Sequence, residues 1–186
     1  MIIRTATIND AKEILNIYSY YVENTAVSFE YTTPTLSEFQ ERIQNTLKRY
    51  PYLVAEEDSK RLGYCYVGQL RTRPAFCHSV ETSIYIEESA HKKGIGRLLY
   101  TSMEEILKKM NITNMYACII YPKTEDKYLN YTSYYFHQKL GYKKIAEFTD
   151  CGLKFGNWYN MIFMEKIIAP HDKNIGEVIP FPALKD

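Results

Sequence analysis

Between His78 and Met110 the chain changes its hydrophobic period once, and that change constrains the fold more than any other feature. His78 to Ile86 alternates, with Val80, Thr82, Ile84 and Ile86 on one side and Glu81, Ser83 and Tyr85 on the other, the repeat of a half-buried strand. A glycine loop follows, Gly94-Ile95-Gly96, and then Leu98, Leu99, Met103, Ile106, Leu107 and Met110 recur at the spacing of a helix with one apolar face. A strand that runs through glycines into a long amphipathic helix belongs in a sheet with helices packed on it. The chain therefore reads as an α/β domain with the alternating run as its central strand.

The flanking segments extend this reading. Ile2 to Thr5 is a short strand, and Thr7-Ile8-Asn9-Asp10 opens a helix with Ile14, Ile17, Tyr18, Tyr21 and Val22 on one face. Thr35-Leu36-Ser37-Glu38 is a capping box ahead of Phe39, Ile43 and Leu47. Tyr52 to Glu56 and Leu62 to Leu70 flank a polar break at Asp58 to Arg61, the pattern of a hairpin. After the long helix come a strand from Met115 to Ile120, a helix from Tyr131 to Leu140 ended by Gly141, and a strand pair at Tyr142 to Phe148 and Trp158 to Glu165. The order β-α-α-β-β-β-α-β-α-β-β predicts an α/β (α+β) fold with a mixed sheet. Residues 1–167 read as one domain; residues 168–186, with three prolines and no period, read as an extended tail that frays or packs on a neighbour.

Composition excludes several classes. The balance of 23 Lys and Arg against 22 Asp and Glu, a net charge of +1, argues against a nucleic-acid binder with a strong basic field. Cys65, Cys77, Cys118 and Cys151 form no zinc-type pair, and the histidines have no metal spacing, so no metal is expected and the cysteines read as reduced thiols, with Cys65 and Cys118 as buried hydrophobes. The start has no signal-peptide pattern and no run long enough to span a membrane. The expectation is a cytoplasmic protein without membrane or nucleic-acid partners.

Two segments carry chemistry. Ser89-Ala90-His91-Lys92-Lys93-Gly94-Ile95-Gly96-Arg97 lies between a strand end and a helix start, where open backbone N–H groups and the helix dipole favour a phosphate, and Lys92, Lys93 and Arg97 add charge. The alternative is an ordinary turn with solvated lysines. The segment lacks the lysine and serine or threonine of a P-loop and the third glycine of a dinucleotide fingerprint. In Asn130-Tyr131-Thr132-Ser133-Tyr134-Tyr135-Phe136-His137-Gln138-Lys139-Leu140-Gly141-Tyr142, residues Asn130, Ser133 and His137 share a helix face; the alternative is a cap, a surface serine and a satisfied histidine.

In this order the two segments resemble the GNAT acyltransferase superfamily, whose coenzyme loop reads Gln/Arg-x-x-Gly-x-Gly/Ala and whose later helix reads Asn-x-x-Ser-x-x-x-Tyr-x-Lys-x-Gly-Phe. Within it, Asn24 to Phe29, Arg71 to Phe76, His78 to Ile86 and Lys154 to Trp158 resemble the branch of phosphinothricin and methionine sulfone acetyltransferases, over residues 2 to about 166. His91 departs from the Gln or Arg of the pattern, and His137 from its Tyr. The loop Tyr121 to Leu129 also looks longer than in relatives, which bears on the acceptor pocket.

The resemblance implies a mainly antiparallel central sheet flanked by helices, acetyl-CoA as co-substrate, a small-molecule amine acceptor and a homodimer, with the Trp158 strand and the tail as contacts. The backbone of Ile84, Tyr85 and Ile86 would hold the pantetheine arm, the amides from Lys92 through Ile95 to Arg97 the pyrophosphate, and Asn130 and Ser133 the arm from the other side. Direct attack by an amine needs a base, and Glu81 on the central strand is the candidate. His137 would donate a proton to the departing sulfur or line the channel; a thiolate needs little help to leave. Arg71 and Arg73 suit a substrate carboxylate or phosphinate, with Phe29, Glu30 and Phe76 closing the pocket. The competing expectations are a CoA-binding sensor without catalysis and an enzyme acting on a protein or polyamine amine.

Overall fold

In the computed structural model, which describes residues 1–184, a seven-stranded sheet carries helices on both faces. In chain order the elements are β1 (Ile2–Thr5), α1 (Ala11–Asn24), α2 (Leu36–Leu47), β2 (Tyr52–Glu57), β3 (Lys60–Gln69), β4 (Ser79–Ile86), α3 (Ile95–Lys109), β5 (Asn114–Tyr121), α4 (Thr132–Lys139), β6 (Lys143–Lys154) and β7 (Asn157–Ile167). The strands run β1-β2-β3-β4-β5-β7-β6, with β4 in the middle. Every neighbouring pair is antiparallel except β4 and β5, which α3 connects as a crossover. This is the mixed α/β sheet expected from the sequence.

Local chemistry sets the element ends. Thr35 Oγ1 accepts from the Glu38 N–H at 3.2 Å while a Glu38 carboxylate oxygen accepts from the Thr35 N–H at 2.7 Å, a closed capping box on α2. A short 3-10 turn, Ile8–Asp10, precedes α1, and the buried Asp10 there accepts from the Thr7 N–H and from Arg4 and Arg61. The β2–β3 turn is made by Asp58 and Ser59 at φ +49° and +63°. Gly141, at φ +91°, ends α4.

Alternation in β4 divides the core. Val80 faces α3 and a cluster containing Leu99, Tyr100, Met103, Leu107 and Met115; Tyr85 faces the opposite cluster, built on α1, α2 and the strands by Ile14, Tyr18, Phe39, Ile43 and Tyr64. Leu98, assigned to the apolar face of α3 from sequence, is exposed. Adjacent helix residues lie about 100° apart, and the buried set Ile95, Leu99, Met103 and Leu107 leaves Leu98 on the flank. Strand β6 runs to Lys154, past the Phe148 end read from sequence, because irregularities between Lys144 and Ala146 and between Phe148 and Gly152 break its period.

The segment after β7 lies along the domain's own body. Ile168 N–H donates to Thr113 C=O at 2.8 Å and Phe181 N–H to Arg49 C=O at 2.9 Å, while Ile168, Val178, Phe181 and Leu184 pack on the α3 cluster. Lys185 and Asp186, the end of the tail, lie outside the described residues. Among the described residues no helix is long and apolar enough to cross a membrane.

Candidate active site

The site begins where β4 and β5 part. Their pairing runs only from Ser79 opposite Asn114 to Thr82 opposite Ala117, although the strands continue to Ile86 and Tyr121. Glu87 N–H donates toward β3, to Leu62 C=O, so strand alternation turns the peptide groups of Ile84 and Ile86 toward the opening. The resulting cleft is narrow, with a cavity volume of about 60 Å³. Its walls are Thr82 to Tyr85 of β4, Ala117 to Ile120 of β5, Tyr100 of α3, Ser133 and His137 of α4, and Val27.

At one end of this cleft the loop into α3 is shaped for an anion. Gly94 sits at φ +81°, where a side chain would be strained, and Lys92 at φ +63° precedes it. No side chain caps α3, so its first amides are open, and Lys92, Lys93 and Arg97 stand exposed around them. Phosphate chemistry fits this donor set. Gly96 has a second reason to be glycine: a Cβ there would lie 2.9 Å from the Phe136 ring of α4. His91 is tied to α1. Tyr21 Oη donates to Ile86 C=O at 2.5 Å, so His91 Nε2 donates to the tyrosyl oxygen at 2.9 Å.

His137 is buried with both ring nitrogens engaged. Nδ1 donates to Ser133 C=O at 2.8 Å, which leaves Nε2 to accept from Tyr100 Oη at 3.1 Å; Thr82 Oγ1 lies 3.0 Å from the same hydroxyl. Burial lowers its pKa to about 4, so the ring is neutral at pH 7. Ser133 and His137 thus meet at the cleft, while Asn130 stays at the helix start, its Oδ1 accepting from Thr132 N–H.

Glu81 is half-buried on the α1 face of β4, two residues from Ser83 in the cleft wall and beside Tyr116 in the β5 register. Burial pushes its carboxyl above the usual carboxylate range, and the Arg71 guanidinium opposes this. Arg71 lies over the Phe163 ring at 5.7 Å. Cys118 lines the cleft between these groups, its thiol pushed up to about 12 by burial and by Glu81, which leaves it protonated. Arg73 and Phe76 are exposed on the connection into β4. Glu30 is paired with Arg42 at 2.8 Å, and Phe29 packs on β6 at Gly152.

Sequence reasoning passed over Tyr100, Thr82 as a polar group, Arg42 and Lys154. Tyr100 had a signal: it stands four residues after Gly96 on the buried face of α3. Among the described residues no three His, Cys, Asp or Glu side chains converge on a metal position.

Comparison with known proteins fits this geometry. The family described as Acetyltransferase (GNAT) domain matches residues 3–163. The chain is 28% identical to the phosphinothricin N-acetyltransferase of Streptomyces viridochromogenes, over 88% of this chain and 86% of that one. It is 30% identical to the L-methionine sulfoximine/L-methionine sulfone acetyltransferase of Salmonella typhimurium, over 92% and 96%. In structure it resembles a GNAT superfamily phosphinothricin acetyltransferase from Sinorhizobium meliloti in complex with AcCoA, with a TM-score of 0.83, 26% identity and 97% of both chains covered.

Proposed function

Since this chain belongs to the GNAT acetyltransferase family and is an acetyl-CoA-dependent N-acetyltransferase, we propose that it acetylates the primary amine of a small amino-acid-like molecule, of the phosphinothricin, methionine sulfone or methionine sulfoximine type, with Glu81 as general base. The observation that carries the reading is the half-buried Glu81, raised in pKa and flanked by Arg71 beside the acyl cleft. A carboxylate in that setting takes a proton more readily than an exposed one, and Arg71 is the nearby cation for an acceptor carboxylate or phosphinate. Arg73 and Phe76 complete the rim, with Phe29 and Glu30 opposite.

Bound acetyl-CoA supplies the thioester carbonyl that the amine attacks. The N–H groups of Ile84 and Ile86, with Tyr85 between them, would face the pantetheine arm and polarise that carbonyl, while the Ile86 C=O accepts from Tyr21. The open amides from Lys92 to Arg97 would hold the pyrophosphate, and His91 fixes their loop to α1. Ser133 would meet the arm from α4, and Asn130, at the start of that helix, would stand at its outer end. Successive same-face positions on a strand are about 7 Å apart, and Glu81, one such step from Ser83 in the cleft wall, is the base for the amine proton, directly or through a water. His137, neutral and bonded on both sides, lines the thioester end and holds Tyr100 and Thr82 in place. A thiolate, whose pKa is about 8.5, leaves without a protein acid.

Residues 1–167 form the catalytic domain, with the tail as a brace. The exposed Phe148, Leu153, Phe155 and Trp158 on the β6–β7 edge support a homodimer across that edge. Four free cysteines suit the reducing cytoplasm.

The test is CoA release from acetyl-CoA with L-methionine sulfone, L-methionine sulfoximine, phosphinothricin, a polyamine and a lysine peptide. Turnover is expected only with the first three, and Glu81→Gln is expected to lower kcat by about 10²–10⁴-fold with CoA affinity unchanged. Turnover confined to the polyamine or peptide would sink the acceptor class, and CoA binding without turnover would make the chain a sensor.

A further inference from the structure

Lys154 is 2% exposed, and among the described residues its ammonium forms no salt bridge; Glu30 acts on it only through space. Nζ donates to Val22 C=O at 2.7 Å and to Ser28 C=O at 2.6 Å, and lies 5.0 Å from the centre of the Phe155 ring. Val22 belongs to the last turn of α1, whose carbonyls have no helical partner and carry the negative end of the helix dipole. Ser28 lies in the loop after α1. One cation on β6 therefore joins the end of a helix to the loop that leaves it.

Two neighbouring contacts have the same direction. Phe29 packs so closely on β6 that a Cβ at Gly152 would lie 1.9 Å from its ring, and Tyr31 Oη donates to Leu153 C=O at 2.6 Å. Residues 28 to 31 are thus keyed into β6 by an ammonium, a missing side chain and a hydroxyl. The same loop presents Val27 to the cleft and Glu30 to Arg42. A buried cation with no carboxylate in hydrogen-bond contact is a poor way to gain stability, because desolvation costs it several kcal/mol that an apolar side chain avoids, and Glu30 offsets that only through space. Its specific contribution is geometric: two donors aimed at two carbonyls.

We propose that Lys154, with the space left at Gly152, is a positioning residue for acceptor selectivity: it fixes Val27, Phe29 and Glu30 against the reacting cleft. This rests on the reading that the loop after α1 forms one wall of the acceptor pocket. Among the described residues the hydrogen bonds of Lys154 go to α1 and its following loop and none goes to α3 or α4, where the coenzyme half of the site is built.

The experiment is steady-state kinetics of the full chain with L-methionine sulfone, CoA affinity by calorimetry, and amide hydrogen exchange. For Lys154→Met the acceptor KM is expected to rise about tenfold, with kcat at saturating acceptor and CoA affinity within twofold; exchange over residues 25–34 speeds up while that of α3 stays unchanged. Gly152→Ala, which displaces Phe29 and leaves the lysine in place, is expected to raise the same KM and serves if Lys154→Met fails to fold. If both variants keep the wild-type KM and loop exchange while Phe29→Ala raises KM, the positioning role is wrong and the pocket reading survives. If Phe29→Ala and Glu30→Gln also leave KM unchanged, the loop is no acceptor wall and both fall. A loss of kcat and CoA affinity at unchanged acceptor KM would make Lys154 merely structural.

Discussion

His137 is a histidine that folding keeps uncharged, and this gives the protein a pH signature. Its pKa falls from an ordinary 6.5 to about 4 in the fold, so between those values the unfolded chain binds a proton that the folded chain refuses. Stability is therefore complete above about pH 6.5 and declines as pH falls toward 4, by about 3 kcal/mol in all for this one group. Urea unfolding of wild type and His137→Gln between pH 4.5 and 7.5 checks this: the variant should lose most of that slope. Asp10 is the opposite chemistry, a buried carboxylate held well below its usual range by Arg4, Thr7 and Arg61 against the cost of burial. Asp10→Ala leaves two arginines facing each other and is expected to destabilise the fold by about 3 kcal/mol in the same assay, with acetyl-CoA affinity unchanged. At this scale the sequence was legible where a residue's placement follows from its own strand or helix, as for Glu81 within β4 and Gly94 at the start of α3. It was silent on the role of Lys154, whose partners, Val22 C=O and Ser28 C=O, come from elements distant in the chain.

Among the elements, α3 and α4 are coupled by an absence. Gly96 lets the Phe136 ring reach the first turn of α3, and Tyr100 one turn later reaches His137 of α4. Gly96→Ala gains helix propensity of about 1 kcal/mol but forces the ring outward at a cost of about 1–3 kcal/mol. The expected result is a small net loss, seen as a fall in Tm of a few degrees, together with weaker acetyl-CoA binding because Ser133 and His137 move with the ring. The order of strands and helices could be read from the sequence because period and caps agree at nearly every boundary: the capping box of Thr35 and Glu38 and the Gly141 terminus are both made as written. The two places where the reading fell short have physical causes. Bulges hid the length of β6 from an alternation test, and the heptad-like run Leu98-Leu99 offered two apolar residues for one buried position.

The whole molecule is braced from below by its tail, although three prolines made that segment look detached. Its apolar residues are too sparse for a period, and only the surface they meet, near Met110, Thr113 and Arg49, reveals their purpose. A chain truncated after Ile167 is expected to lose about 2–4 kcal/mol and several degrees in Tm while retaining activity at low temperature, measured by thermal scanning and CoA release. The proposed dimer is checked by mass in solution, with Trp158→Glu expected to shift it to monomer. The parting of β4 and β5 has a consequence for endurance as well as chemistry. Only four residue pairs sew the two halves of the sheet together, so the ladder lacks rungs along half its central seam. A coenzyme bound there, as proposed, would supply those rungs. The protein's heat tolerance then becomes a readout of its acetyl-CoA supply, rising by about 2.7 kcal/mol when the coenzyme stands at a hundred times its Kd. On this reading a starved enzyme would be the first to unzip, along the line where a fed one would work.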